Sequence, residues 1–83
     1  MKRVVGLPGE NVQINESVIY INGEPIKDAV NVSMDDYGLA ADVIHLKEDE
    51  YLVLGDNRNN SRDSREFGAI SKEDILGTVV GLR

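Results

Sequence analysis

The 83-residue sequence contains no cysteine and no tryptophan, only two prolines, and a single histidine, His45. Without cysteine the chain can form neither a disulfide nor a thiolate metal site, and one histidine argues against zinc. The alternating polar residues from Asp56 to Arg62 do not make a calcium loop, because Arg58 would occupy a ligand position. We therefore expect neither a metal ion nor a cofactor.

Basic residues are also scarce, since nine Lys and Arg face fifteen Asp and Glu for a formal net charge of −6. A nucleic-acid-binding chain needs a basic face to displace counterions from phosphate, so we expect no nucleic-acid partner. No apolar run approaches the roughly 20 residues of a membrane span. The composition predicts one small soluble domain, residues 1–83, with a thin core.

What the sequence does contain is apolar residues two positions apart, which is the period of half-buried strands. These pairs are Val12 and Ile14, Val18 and Tyr20, Ile44 and Leu46, and Leu52 and Leu54. Asn22-Gly23 predicts a two-residue hairpin turn, because both positions tolerate the positive φ that such a turn needs. We expect the returning strand to run from 24 to 29 and to lie at an edge because of Pro25.

The remaining segments complete an all-β pattern. Ser71 is the only helix start that we predict. Its hydroxyl would cap the helix, Asp74 would complete a capping box three residues later, and Gly77 would end the helix. A last strand is predicted over 78–82, whereas 31–42 is interpreted as a loop. The predicted class is all-β, a small antiparallel and partly barrel-like sheet with one short helix near the C-terminus.

Two segments carry unusual chemistry. Lys2 and Arg3 open an apolar strand that ends in a Pro-Gly turn, within the sequence KRVVGLPGE. The run GDNRNNSRDSR, residues 55–65, contains no apolar residue and follows the apolar stretch 51–54. Each segment alone is compatible with ordinary turns and solvated loops, but a polar run placed directly after a strand is typical of a functional site.

Together, KRVVGLPGE and GDNRNNSRDSR, followed by FGAI, resemble the two C-terminal signature regions of type I signal peptidases. The resemblance covers essentially the whole chain, including the YING hairpin, and the short spacing between signatures is similar to the compact Gram-positive type. It implies a membrane-anchored serine endopeptidase of the bacterial leader peptidase family. Such enzymes use a Ser-Lys dyad to remove signal peptides from translocated preproteins, cutting after small residues.

The resemblance also implies roles for individual residues. Lys2 matches the general base, and a lysine can accept the serine proton only after it has lost its own. The supporting residues that the resemblance implies are Ser61, Arg3, Asp56, Asp63, Arg65, Gly55 and Asn57. Among them, Ser61 would orient the lysine, Arg3 would pair with Asp56, and Asp63 with Arg65.

Gly55 would permit close approach of the backbone beneath the site, and Asn57 would hold the loop by hydrogen bonds to its backbone. The nucleophile of the family lies in a Ser-Met-x-Pro signature upstream of the lysine, where this chain has only Met1. Ser33-Met34 does not replace it, because it follows the lysine and precedes two aspartates. We therefore expect the C-terminal part of a catalytic domain, soluble and inactive alone.

The full-length protein is expected in the cell membrane with its catalytic domain on the extracytoplasmic side. Two alternatives stay open. One is a related Ser-Lys peptidase, such as a self-cleaving repressor or a mitochondrial inner-membrane protease. The other is a small acidic β-domain that binds protein or peptide through a sheet edge without catalysis. Exposed sheet edges also predict self-association of the isolated chain.

Overall fold

The computed structural model describes residues 2–75 and 79–83, which contain eight strands and three short helices. The strands are β1 Lys2–Gly6, β2 Asn11–Asn15, β3 Val18–Ile21, β4 Glu24–Pro25, β5 Ile44–His45, β6 Glu50–Gly55, β7 Ile70–Ser71 and β8 Val79–Leu82. The helices are a 3₁₀ helix at Gly38–Ala41, α1 at Ser64–Phe67 and α2 at Lys72–Ile75.

The strands form two four-stranded sheets, ordered β7-β6-β1-β8 and β4-β3-β2-β5. All of their pairings are antiparallel except that of β1 with β8, which is parallel. The prediction of an all-β class is confirmed. The first sheet carries Lys2, and strands of both sheets contribute to the core.

The core follows from the alternation of apolar residues. Val12 and Ile14 of β2 are buried, and so are Ile19 and Ile21 of β3, whereas the polar positions between them on β2 point outward. On β3 the half-buried face carries Val18 and Tyr20 instead. The buried cluster joins both sheets and consists of Val5, Val12, Ile14, Ile19, Ile21, Met34, Ala40, Leu46, Leu52 and Leu54.

The hairpin predicted at Asn22-Gly23 is present, with φ values of 53° and 83° at its two turn residues. The returning strand β4 is shorter than the predicted 24–29, because the regular pairing with β3 ends at Pro25, which has no N–H to donate. One further bond, from the Ile26 N–H to the Ile19 carbonyl at 2.9 Å, continues the pairing before the chain leaves the sheet.

A second tight turn, at Glu16 and Ser17 between β2 and β3, was not predicted. Both residues have positive φ, 50° and 64°, although neither is glycine or asparagine. Contacts from distant residues stabilise the turn: the Ser17 N–H donates to the Tyr37 hydroxyl at 2.8 Å, and the Met34 N–H donates to the Ser17 hydroxyl at 2.9 Å. Tertiary bonds here replace the usual turn residues.

The prediction of a single helix starting at Ser71 was incomplete. The α2 turn does start after Ser71, whose hydroxyl bonds to the Asp74 carboxylate at 3.2 Å, while Gly77 lies outside the described residues. The additional helix α1 has Asp63 as its N-cap, and the 3₁₀ helix lies inside 31–42. The predicted strand over 78–82 is β8, and Thr78 again lies outside the described residues.

Strand β1 lies in the middle of its sheet and sets the position of the lysine. It pairs on one side with β6, with Lys2 opposite Gly55, and on the other with β8, with Lys2 opposite Val79. A register shift between Val4 and Gly6 interrupts the pairing with β6. The first residue of β1 therefore faces the last residue of β6, where the polar run begins.

Candidate active site

Lys2 lies at the start of β1, next to the polar run that follows β6. Its side chain is half-buried, and its ammonium group donates a hydrogen bond to the backbone carbonyl of Arg62. The two segments that the sequence analysis singled out, 2–10 and 55–65, thus meet at this point. An amine held against a loop carbonyl has a defined position from which it can exchange a proton with a neighbouring group.

The loop beyond Gly55 is organised around the carboxylate of Asp63, which is 1% exposed. Its Oδ1 accepts the backbone N–H of Arg65 at 3.1 Å and the Arg65 Nε at 3.0 Å. Its Oδ2 accepts the Gly55 N–H at 2.8 Å, the Ser61 hydroxyl at 2.9 Å and the Arg65 Nη2 at 2.8 Å. Asp63 therefore pairs with Arg65, as the resemblance implied, and also connects β6, the loop and α1.

The electrostatics of Asp63 follow from this arrangement. Burial by itself would raise the pKa of the Asp63 carboxyl, but the hydrogen bonds from Arg65, Gly55 and Ser61 outweigh burial and hold this pKa below its usual value. The carboxylate is thus ionised at neutral pH and balanced by the Arg65 guanidinium. A group that is fully occupied in this way holds the loop in place and is not free to transfer protons.

Ser61 lies directly over Gly55. Its hydroxyl donates to Asp63 and accepts from the Arg65 Nη2 at 3.3 Å, while the Lys2 bond goes to the adjacent residue, Arg62. A Cβ placed on Gly55 would lie only 2.3 Å from the Ser61 Oγ. Close packing of this serine on the strand backbone therefore requires glycine at position 55, as the sequence analysis expected.

Arg3 and Asp56 form the second expected pair. The Arg3 Nε and Nη2 each bond to one oxygen of Asp56, both at 3.1 Å, and the side chains are 19% and 26% exposed. Arg3 Nη1 also donates to the Leu82 carbonyl of β8 at 3.3 Å. The pair joins the strand that carries Lys2 to the start of the loop. Asn57, also expected to support the loop, is exposed, and its backbone carbonyl accepts the Asn60 N–H at 3.0 Å.

A third ion pair at the site, between Arg58 and Asp28, was missed by the sequence analysis. Arg58 Nη1 bonds to the Asp28 Oδ2 at 2.6 Å and Nη2 bonds to Oδ1 at 3.1 Å, with side chains that are 0% and 9% exposed. Burial would raise the pKa of Asp28, but hydrogen bonds from Arg58 and from the Val30 and Asn31 backbone lower it below its usual value. The polarity of the run was a signal for Arg58, whereas no motif indicated Asp28.

Neighbouring contacts attach the segment around Ser33 to the same loop. Asn59 donates to the Ser33 carbonyl at 3.0 Å and accepts the Asp35 N–H at 2.8 Å. Met34 is buried in the core, so the Ser33-Met34 pair is part of the packing of this segment. His45 is exposed and its ring contacts Asn11.

The C-terminal residue Arg83 closes the opposite end of the first sheet. Its Nη2 bonds to the Glu10 carboxylate at 2.8 Å, and its backbone N–H donates to the Val4 carbonyl at 2.9 Å. The hydrogen bond from Arg83 holds the pKa of Glu10 below its usual value. These contacts attach the end of β8 to β1 and to the turn that follows it.

Within residues 2–75 and 79–83, no cluster of three or more His, Cys, Asp or Glu side chains is arranged to hold a metal ion. Over the same residues, no helix has the length and apolar character needed to cross a bilayer.

The fold of this chain has a counterpart of known structure. The fold matches a crystal structure of a signal peptidase I from Enterococcus faecalis with a TM-score of 0.67 and 34% identity. The match covers 87% of this chain and 74% of that chain.

Sequence comparison leads to the same family. Residues 1–82 match the family model described as signal peptidase, peptidase S26. Signal peptidase I of Leptolyngbya laminosa is 42% identical over 80 residues, and that of Bacillus amyloliquefaciens is 40% identical over 87. The alignments cover 96% and 94% of this chain but 38% and 47% of those proteins. The chain belongs to the signal peptidase family, peptidase S26, and spans less than half the length of these two relatives.

Proposed function

We propose that this chain is the general-base part of a signal peptidase I, a serine endopeptidase that removes signal peptides from translocated preproteins. The observation that carries the proposal is the meeting of Lys2 with the loop 55–65, where the ammonium group bonds to the Arg62 carbonyl. The relatives named above are signal peptidases, which favours this activity over that of a self-cleaving repressor.

In the proposed mechanism the Lys2 amine, once neutral, takes the proton from a serine hydroxyl as the serine oxygen attacks the scissile carbonyl. The resulting ammonium group then returns the proton to the leaving amine. The Ser61 hydroxyl is bonded to Asp63 and Arg65, and Ser61 directly precedes Arg62, whose carbonyl binds the Lys2 amine. Ser61 thereby helps to hold the lysine in place. The Arg3–Asp56 and Asp63–Arg65 pairs position the lysine strand and the loop without transferring protons.

We propose that the nucleophilic serine lies in the part of the relatives that this chain does not span. We therefore expect no peptide cleavage by these 83 residues alone. In the enzyme that contains them, the substrates would be preproteins with small residues before the cleavage site. The enzyme would act at the cell membrane, with this part on the extracytoplasmic side.

The experiment that tests the proposal is cleavage of a preprotein by the enzyme that contains this chain. Lys2→Ala should lower kcat by at least about 10³-fold, since loss of a general base removes the proton transfer. Ser61→Ala should give an intermediate loss, and Lys72→Ala, an exposed residue of α2, should leave turnover unchanged. Normal turnover in the Lys2 variant would rule out the dyad.

We also propose that the isolated chain self-associates through its sheet edges. Among the described residues, the outer strands β4, β5, β7 and β8 each have a strand neighbour on one side only, and Leu82 on β8 is 62% exposed. Sedimentation velocity should show a mass that rises with concentration. A monomer at every concentration would contradict edge pairing.

A further inference from the structure

Burying the Arg58–Asp28 pair costs desolvation free energy. Transferring two charges from water costs several kcal/mol each, and well-packed apolar residues at such a position are often as stabilising. The pair is nevertheless fully formed, with Arg58 Nη1 donating to the Asp28 Oδ2 and Nη2 donating to Oδ1. Its contribution to stability therefore does not explain its presence, and the remaining contacts of Arg58 indicate another role.

The third nitrogen of the guanidinium group connects the pair to the lysine. Arg58 Nε donates to the carbonyl of Gly55 at 2.7 Å, and Gly55 is the residue opposite Lys2 in the pairing of β1 with β6. The N–H of Gly55 is held by Asp63 at 2.8 Å. Both polar groups of the Gly55 backbone are thus bound by buried charged side chains, one from each ion pair.

Asp28 reaches this position from the other sheet. It follows β4, and its Oδ1 also accepts the Val30 N–H at 3.1 Å, which orients the carboxylate. Without the carboxylate, the Arg58 head group would be a buried cation whose Nη1 and Nη2 have lost their acceptors. It would then be driven toward water, and its Nε would leave the Gly55 carbonyl.

We propose that Asp28 is a positioning residue for Lys2: through Arg58 it holds the Gly55 carbonyl and thereby fixes the end of β6 and the loop against which the lysine amine is bound. The importance of this for catalysis rests on the proposed function. The positioning itself does not, because it can be measured on the 83-residue chain without any substrate.

The first experiment compares Asp28→Asn with wild type by amide hydrogen exchange and by the rate at which a limiting acylating reagent modifies each lysine. Loss of a charge-assisted hydrogen bond should speed exchange of the Gly55 N–H and modification of Lys2 by about tenfold. Lys47 and Lys72 are internal references whose rates should not change. The matched control is Asp42→Asn, the same chemical change at an exposed position outside the loop.

A second variant, Arg58→Lys, keeps the test valid if Asp28→Asn does not fold. Lysine preserves the positive charge beside Asp28 but has no Nε–H to donate to Gly55, so Gly55 and Lys2 should loosen as in Asp28→Asn. Unchanged rates at Lys2 and Gly55 in a folded variant would overturn the proposal. So would an equal acceleration at every lysine and every amide, since that would indicate general loosening.

The final experiment uses the enzyme that contains this chain, with preprotein cleavage as the readout. Asp28→Asn should lower kcat about tenfold with little change in KM, and Asp28→Glu should restore part of the loss because it returns the carboxylate. If the wild-type enzyme cleaves and Asp28→Asn leaves kcat unchanged, the positioning role is refuted. If the wild-type enzyme does not cleave, the proposed function fails, while the exchange and modification rates still decide the role of Asp28.

Discussion

Replacing Asp63 with asparagine should destabilise this chain strongly, although the two side chains have nearly the same shape. The Oδ2 atom accepts three hydrogen bonds and the Oδ1 atom accepts two. Whichever way the new amide turns, its NH₂ group faces two or three donors in a site that is 1% exposed. The Arg65 guanidinium also loses its counterion.

The magnitude follows from the loss of one partner of a buried ion pair, which costs about 3–5 kcal/mol. A chain of this length has a free energy of unfolding of roughly 4–12 kcal/mol, at about 0.05–0.15 kcal/mol per residue. The Asp63→Asn variant should therefore lose between a quarter and all of its stability. With a urea m-value of about 1 kcal/mol/M, the unfolding midpoint should fall by about 3 M or more.

The assay is urea unfolding followed by circular dichroism at pH 7. Glu66→Gln is the matched control, because the Arg62–Glu66 pair has side chains that are 83% and 58% exposed and should contribute less than about 0.5 kcal/mol. A loss below about 1 kcal/mol for Asp63→Asn, with an unchanged m-value, would refute the conclusion that this carboxylate organises the loop.

Two further predictions concern packing and pH. Gly55→Ala should cost about 1–3 kcal/mol in urea unfolding, because the new methyl group would overlap Ser61. Gly81→Ala should cost less, because its methyl group would lie no closer than 3.0 Å to the Arg3 side chain. Stability should also fall with acid below about pH 4.5, since carboxyl groups with a folded pKa below the unfolded value stabilise the fold only while ionised. These groups are Glu10, Asp28 and Asp63. Equal melting temperatures at pH 5 and pH 3 would contradict the second prediction.

Local signals predicted much of the fold. The alternation on β2 reports burial on one face, whereas β6 is buried on both faces from Leu52 to Leu54. The Asn22-Gly23 turn depends on the conformational freedom of its own two residues. By contrast, the turn at Glu16-Ser17 depends on bonds to Met34 and Tyr37, which no local pattern reveals. Helix α1 had a weak signal, an Asp63 N-cap with Glu66 three residues later, that the polar run concealed.

The candidate site likewise contains contacts that could be expected from the sequence and contacts that depend on the tertiary structure. The pairs Arg3–Asp56 and Asp63–Arg65 were expected from the family resemblance, because all four residues lie within its signatures. The Asp28–Arg58 pair joins a residue inside a signature to one outside both, across the two sheets. Only the tertiary structure brings these two side chains together.

The central position of β1 has a consequence for how the protein is made. One neighbour of Lys2 is Gly55 on β6 and the other is Val79 on β8, so nearly the whole chain must be available before the first strand has both partners. Pairings between such distant residues form slowly. During synthesis, Lys2 gains both of its strand neighbours only after β8 has left the ribosome, and until then β1 has an unpaired edge.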